Sequence, residues 1–329
     1  MFLNSSYNNQ SITSSTGFIV AVAALLVMAV MSFDYMTDIA LESDYGICLK
    51  SVKDWQMPHF LSWSLNILSF GISALLVLWL NKEFRFIHDS TKLFATAFIF
   101  LSATNPWLTC SFSAQSLFTP LTLVATFVLF SQFGKRNATE GMFITFSTLS
   151  AGSIFQYSFA LMIPIFLIAT MYLNTLRIKE ICAAILGIIA PYWIALGFGL
   201  IDFNDFRMPD LQTIFFADFI NDISIWMLLN VALTSLLTLL LALSNSIKVF
   251  ATNSQTRAYN SILNLFAFAL FWYIIFDFAN MATYIPLLNL MAGIQLAHFF
   301  VINPMRRGAL FIATAVAVYV TLFCFTLYA

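Results

Sequence analysis

Long apolar runs without charged residues are the feature that most limits how this chain can fold. A helix needs roughly 20 apolar residues to cross a hydrocarbon core about 30 Å thick. Eleven segments of this kind occur, at 17–33, 60–80, 93–111, 116–133, 142–156, 158–174, 181–201, 224–245, 261–279, 283–302 and 308–327. They lack the alternation of a barrel strand, so the sequence predicts an all-α, polytopic transmembrane bundle of about 11 spans. The fifth and sixth segments are short and could instead form one broken element.

The composition agrees with a surface that faces lipid. Only 9% of the 329 residues are charged, whereas a soluble domain carries about a quarter. A net charge of −1 and the lack of a basic stretch argue against nucleic acid as a partner. The polar tail at 1–16 has no positive region of the kind that begins a secretory signal. We therefore expect a retained first helix and a single transmembrane domain at 17–329.

Lysine and arginine predict the direction of the chain through the membrane. If the predicted loops are taken alternately, one set holds eleven of these cations and the other holds only Lys50, Lys53 and Arg207. Cytoplasmic loops carry the excess of positive charge. The N-terminus is therefore expected inside and the C-terminus outside, with long outer loops at 34–59 and 202–223.

The first outer loop begins with an acidic stretch, "SFDYMTDIALESDYG". If the first helix continues, Asp34, Asp38 and Glu42 share one face, and each like-charge pair costs about 0.2–0.5 kcal/mol. A divalent cation such as Mg²⁺ or Mn²⁺ would remove this repulsion, because such ions take oxygen ligands. Acids are also the natural charges to solvate an outer loop that avoids lysine. The sequence leaves both interpretations open.

Two further features place candidate site residues on the same side. Asp277 lies near the outer end of the ninth segment, where an acid must be paired or reach water. It is either part of a site or a structural residue that bonds to Asn280. The segment after Pro209 is predicted to form an amphipathic interfacial helix, in which Phe215 and Phe216 lie apart from an acidic face. An oxidising outer compartment would also permit a disulfide between the outer cysteines at positions 48 and 110.

Two resemblances follow from these patterns. The stretches "LVLWLNKEFRFIHDSTKLFATAFIFL", "LFSQFGKRNATEGMF" and "IFQYSFALMIPIFLIATMYLN" lie within residues 76–200. Their pattern of helices and loops resembles an uncharacterised family of bacterial polytopic inner-membrane proteins, which implies location in that membrane.

The inside N-terminus, the acidic first outer loop and the long outer loop between the seventh and eighth spans are similar to the GT-C superfamily of membrane glycosyltransferases. That resemblance implies a sugar donor linked to a polyprenyl phosphate, with Asp34 or Asp38 as the base or a metal ligand. The residues expected around the substrate are Asp277, Arg207, Phe215 and Phe216.

A different class of function also fits the sequence. The chain could be a non-catalytic subunit of an envelope complex, whose outer acids contact a basic membrane protein or only solvate the loops. A transporter is disfavoured, because Asp277 and His298 are the only ionisable residues within the predicted spans.

Overall fold

The structure is a computed structural model that describes residues 15–35, 45–52, 55–87, 92–208, 211, 213–214, 223–249, 253–302 and 308–328. These residues are mostly helical, and they include no strand beyond one isolated bridge between Tyr45 and Lys50. The prediction of an all-α protein is confirmed. The helices are α1 Ser15–Met31, α2 His59–Phe84, α3 Leu93–Ala103, α4 Pro106–Thr109, α5 Ala114–Phe130, α6 Thr139–Phe155, α7 Ser158–Tyr172, α8 Ile178–Gly197, α9 Ile225–Val249, α10 Ser254–Phe276, α11 Met281–Ile302 and α12 Gly308–Tyr328.

The third apolar segment, which was predicted to be a single span, forms two helices. The helix that starts at Leu93 ends at Ala103, and a separate helix of four residues starts at Pro106. Asn105 between them is extended, with φ −116° and ψ 96°. A proline disfavours helical geometry in the residue before it, which explains the break. The fifth and sixth segments form two separate helices, α6 and α7.

Several helices suit a membrane. Five in the described part of the chain are long and apolar enough to cross one, by length and composition: 59–84, 178–197, 225–246, 254–276 and 311–328. Shorter apolar helices lie at Thr16–Met31, Leu93–Ala103, Ala114–Phe130 and Ser158–Tyr172. The count of about 11 spans and the orientation of the termini stay predictions.

Burial shows which helices lie inside the bundle. Every side chain of α11 from Met281 to Gln295 is buried, so this helix forms the centre. The outer helix α8 instead exposes large apolar side chains such as Leu186 and Trp193, at 61% and 72%. So many exposed apolar side chains on a helical surface indicate contact with lipid.

Glycine allows the closest helix contacts. A Cβ atom on Gly293 of α11 would lie 2.5 Å from the carbonyl oxygen of Phe94 in α3. A Cβ on Gly187 of α8 would lie equally close to the carbonyl oxygen of Phe143 in α6. Small residues at helix interfaces let backbones approach in this way, which is typical of membrane bundles.

The loops that follow α1, α3, α6, α8 and α10 gather at one end of the bundle. The hydroxyls of Ser32 and Thr109 are 2.6 Å apart, which joins the turn after α1 to the short helix α4 that follows α3. The amide of Ile214, in the loop after α8, donates to the carbonyl of Ile275 at the end of α10 over 3.0 Å. We call this end the Asp277 end, after the buried acid described below.

Candidate functional site

The loop after α1 is attached to the C-terminal end of α6. The amide of Ile47 donates to the carbonyl of Ser153 over 3.1 Å, and that of Leu49 donates to the carbonyl of Ile154 over 3.0 Å. The last carbonyls of a helix have no partner within it, so these bonds supply what α6 lacks. The loop is thereby held in a defined position beside the α6–α7 turn.

Gly46 makes this attachment sterically feasible. A Cβ atom at this position would overlap the backbone of Ile154 and Phe155 and would lie 2.7 Å from the amide nitrogen of Gln156. Only a residue without a side chain can lie so close to another backbone. The loop therefore runs directly against the turn that begins at Gln156.

Two cationic residues from different loops neighbour Tyr45, Arg207 through its side chain and Lys50 through its backbone. The Arg207 amide donates to the carbonyl of Ile47 over 2.8 Å, and the Arg207 guanidinium carbon lies 3.9 Å from the centre of the Tyr45 ring. This distance suits a cation–π contact. Lys50 forms the backbone bridge with Tyr45, and both cationic side chains are exposed. The two long loops predicted on one side thus meet at this tyrosine.

An apolar groove lies below the same loop, between α5 and α6. Its volume is about 460 Å³, and Val52 and Trp55 of the loop form one end of its wall. The Trp55 ring packs edge-on against Phe155, with 5.9 Å between the ring centres. The remaining apolar wall includes Leu117, Phe143, Ile144 and Phe159.

Three polar residues interrupt this apolar wall: Ser147, Thr148 and Gln156. The Thr148 hydroxyl donates to the carbonyl of Ile144 over 2.8 Å, within its own helix. Gln156 is 1% exposed, and it connects the groove to a buried polar cluster.

That cluster surrounds Asp277, which is 2% exposed. Oδ1 of Asp277 accepts hydrogen bonds from the hydroxyl of Tyr157 over 2.7 Å and from Nδ2 of Asn280 over 2.9 Å. Oδ2 accepts from the hydroxyl of Tyr284 over 2.5 Å. Asn280 in turn accepts from Nε2 of Gln156 over 3.0 Å. The carboxylate therefore has three donors but lies almost entirely inside the protein.

The predicted site residues separate into three groups. Asp277 is enclosed and bonds to Asn280, which agrees with the structural role that the sequence left open for it. Asp34 is exposed in the turn after α1, and Arg207 is exposed beside Tyr45. The hydrogen bonds that the structure describes around Asp277 include neither of them. Asp38, Glu42, Phe215 and Phe216 lie outside the described residues.

The predicted Mg²⁺ or Mn²⁺ site stays a prediction. Of its three expected ligands the structure describes only Asp34, and no group of three metal-ligating side chains lies together in the described ranges. We therefore assign no step of chemistry to a metal. The four cysteines, all in described segments, are present as thiols, so the structure does not contain the disulfide that positions 48 and 110 could have formed.

Cys48 lies in the attached loop and is 8% exposed. Burial raises the pKa of its thiol, and the negative charge of Asp205 adds to this effect. At neutral pH the group is therefore a protonated thiol with little nucleophilic character.

Sequence reasoning identified Asp277 and Asn280 but missed the two tyrosines that complete their cluster. Tyr284 follows Asp277 by seven residues, but α10 ends and α11 begins between them, so no helical repeat indicates their contact. Tyr157 and Gln156 were visible only as a short turn. Their pairing with residues 120 and 124 positions away leaves no local signal.

Comparisons with protein-family models, with curated proteins and with solved structures find no match to this chain.

Proposed function

We propose that this chain is a multi-pass membrane protein that binds a polyprenyl-phosphate-linked sugar at its Asp277 end and transfers the sugar, as a GT-C-like glycosyltransferase. One observation carries the proposal: an apolar groove adjoins the loop that holds Tyr45 and Lys50, and Arg207 of a second loop packs on this tyrosine. A ligand with an apolar chain that ends in an anionic group suits this combination of a groove and cations. We also propose that the protein lies in the bacterial inner membrane, with its N-terminus on the inside.

The groove suits the hydrocarbon chain. Its volume of about 460 Å³ lies within the range of about 300–1,000 Å³ that is usual for small-molecule sites. Phe143 and Ile144 line it and are 39% and 41% exposed on the apolar surface of the bundle. A lipid chain can therefore enter from the side, without leaving the apolar phase.

Lys50 and Arg207 suit the phosphate. Arginine and lysine are the side chains that bind phosphate oxygens most strongly. The Arg207 guanidinium is already oriented by its contact with Tyr45, so less freedom is lost when an anion binds. Gly46, next to Tyr45, connects this cationic pair to the end of the groove at Gln156.

Of the two candidates for the base, Asp34 is the one that the structure describes, and its side chain is exposed; Asp38 lies outside the described residues. In the proposed step, the hydroxyl of the acceptor gives its proton to the Asp34 carboxylate while its oxygen bonds to the anomeric carbon. The bond from that carbon to the phosphate oxygen breaks, and the polyprenyl phosphate leaves with the electron pair. Lys50 and Arg207 stabilise the charge on the leaving group.

Binding of farnesyl phosphate and of farnesol to the purified protein tests this proposal, because the two differ only in the phosphate. We expect the wild type to bind farnesyl phosphate at least about tenfold more tightly, as for a charge-assisted contact of about 1.5–3 kcal/mol. The double variant Lys50→Gln, Arg207→Gln should lose this difference and still bind farnesol.

The matched control is Lys82→Gln, Lys135→Gln, which removes two exposed cations from the opposite end and should change neither affinity. Equal binding of the two lipids by the wild type would refute the phosphate site. With a sugar-charged donor, Asp34→Asn should keep the affinity and lose transfer.

A further inference from the structure

One residue that lines the groove, Gln156, has a hydrogen-bond acceptor without a partner in the part of the chain that the structure describes. Gln156 lines the groove and is 1% exposed. Its Nε2 donates to Oδ1 of Asn280 over 3.0 Å and to the hydroxyl of Ser158 over 3.2 Å. Its Oε1 accepts no hydrogen bond from any described residue. Buried polar atoms are nearly always paired in folded proteins, so this oxygen calls for an explanation.

The orientation of the Gln156 amide is determined by its neighbours. Both oxygens of the Asp277 side chain accept hydrogen bonds in the structure, and Asn280 directs Nδ2 towards Oδ1 of Asp277, so the Asn280 oxygen is directed away from it. Gln156 must then present Nε2 to the Asn280 oxygen. Oε1, on the other arm of the same amide, therefore points away from Asn280, and Gln156 is one of the residues that line the groove.

The free acceptor selects among ligand groups. Only a hydroxyl or an N–H group can satisfy Oε1, because an amide oxygen does not donate. The ionised phosphate of a lipid offers acceptors alone and so cannot be the partner. A sugar attached to that phosphate carries several hydroxyls. Gly46, which follows Tyr45, packs against the backbone of Gln156, so a phosphate bound by Lys50 and Arg207 in the proposed function would lie near this residue.

We infer that Oε1 of Gln156 accepts a hydrogen bond from a hydroxyl of the sugar, and that Asp277 acts through Asn280 as the positioning residue that aims this acceptor. The inference rests on the proposed function, because it takes the occupant of the groove to be a lipid-linked sugar. It assigns to Gln156 the discrimination between a lipid phosphate that carries a sugar and one that does not.

The test compares dissociation constants for farnesyl phosphate and farnesyl phosphoryl glucose, and the readout is the ratio of the two. A ratio measured on one preparation is insensitive to the fraction of protein that is active. The wild type should bind the sugar-bearing lipid about tenfold more tightly, the effect of one well-made hydrogen bond in a closed site. In Gln156→Leu the ratio should fall to about one. If this variant does not fold, the unbranched Gln156→Met replaces it and should give the same ratio.

Two further variants separate positioning from general packing. Asp277→Asn lets the Asn280 amide reverse, so it should reduce the ratio while farnesyl phosphate still binds. Thr126→Val is the matched control, because it changes a buried polar residue of α5 that does not line the groove and whose hydroxyl already donates to Thr122; its ratio should equal that of the wild type.

The outcomes distinguish the inference from the proposed function. If farnesyl phosphate binds but glucose adds nothing, or if the Gln156 variants keep the wild-type ratio, the inference is wrong and the lipid-phosphate site stands. If farnesyl phosphate does not bind at all, both are wrong.

Discussion

The hydroxyl of Tyr157 donates a hydrogen bond to Oδ1 of Asp277 over 2.7 Å, although 120 residues separate the two in sequence. The bond joins the turn between α6 and α7 to the turn between α10 and α11. Tyr284, in the central helix, holds the other carboxylate oxygen. Three parts of the bundle thus depend on one buried acid, which has no cationic partner among the described residues.

Removing either tyrosine hydroxyl should destabilise the protein. We expect Tyr157→Phe and Tyr284→Phe each to cost about 1–3 kcal/mol, because each leaves the buried carboxylate with one donor fewer. The loss in the double variant should differ from the sum, since the two hydroxyls share one acceptor group. Thermal melting in detergent measures this. Tyr172→Phe, at an exposed tyrosine of α7, is the control, and an equally small effect at all three positions would contradict the account.

A methyl group at Gly46 should detach the first loop. In Gly46→Ala the added Cβ would overlap the backbone of Ile154 and Phe155, and neither backbone can move aside without breaking the loop's hydrogen bonds. We expect a loss of about 1–3 kcal/mol and a weaker affinity for farnesyl phosphate. Gly71→Ala in α2 is the matched control, because a Cβ there meets nothing within 4 Å and alanine favours a helix. Similar melting temperatures for the two variants would show that the loop does not lie against α6.

The reactivity of Cys48 should follow from its raised pKa. In a protein whose other three cysteines are serine, the rate of alkylation should reach its midpoint at a higher pH than for a free thiol, because burial and the Asp205 charge disfavour the thiolate. Asp205→Asn removes the negative charge, so the midpoint should move to lower pH. The pH profile of the rate measures this. A profile that Asp205→Asn leaves unchanged would place Asp205 too far from the thiol to act on it.

The direction of the chain can be tested with reporters. The unequal distribution of lysine and arginine predicts that a reporter active only outside the cytoplasm is active when fused after Ala329 and inactive when fused after Lys179. Fusions after Lys82 should resemble those after Lys179, because both lie on the predicted inner side. Activity after Lys179 would reverse the orientation and place the groove end inside.

The helices were predictable because long apolar runs determine them, and each predicted segment except the third coincides with a single helix of the structure. The division of the third segment could also be read from "TNPW", since proline restricts the residue before it. The site was only partly predictable. Asp277 and Asn280 lie three residues apart, so local spacing reveals their bond. Gln156 and Tyr157 join them only through the packing of distant helices, which no pattern in a single sequence records.

The most direct test of the account is to map where a lipid phosphate binds. A farnesyl phosphate analogue with a photoreactive group at the end of its chain would be crosslinked to the protein, and the labelled peptides identified by mass spectrometry. We expect the label on the groove walls, between Ala114 and Leu121 of α5 and between Phe143 and Phe159, and we expect excess farnesyl phosphate to prevent it. Label confined to lipid-facing helices such as α8, or label that farnesyl phosphate does not displace, would contradict the proposed site.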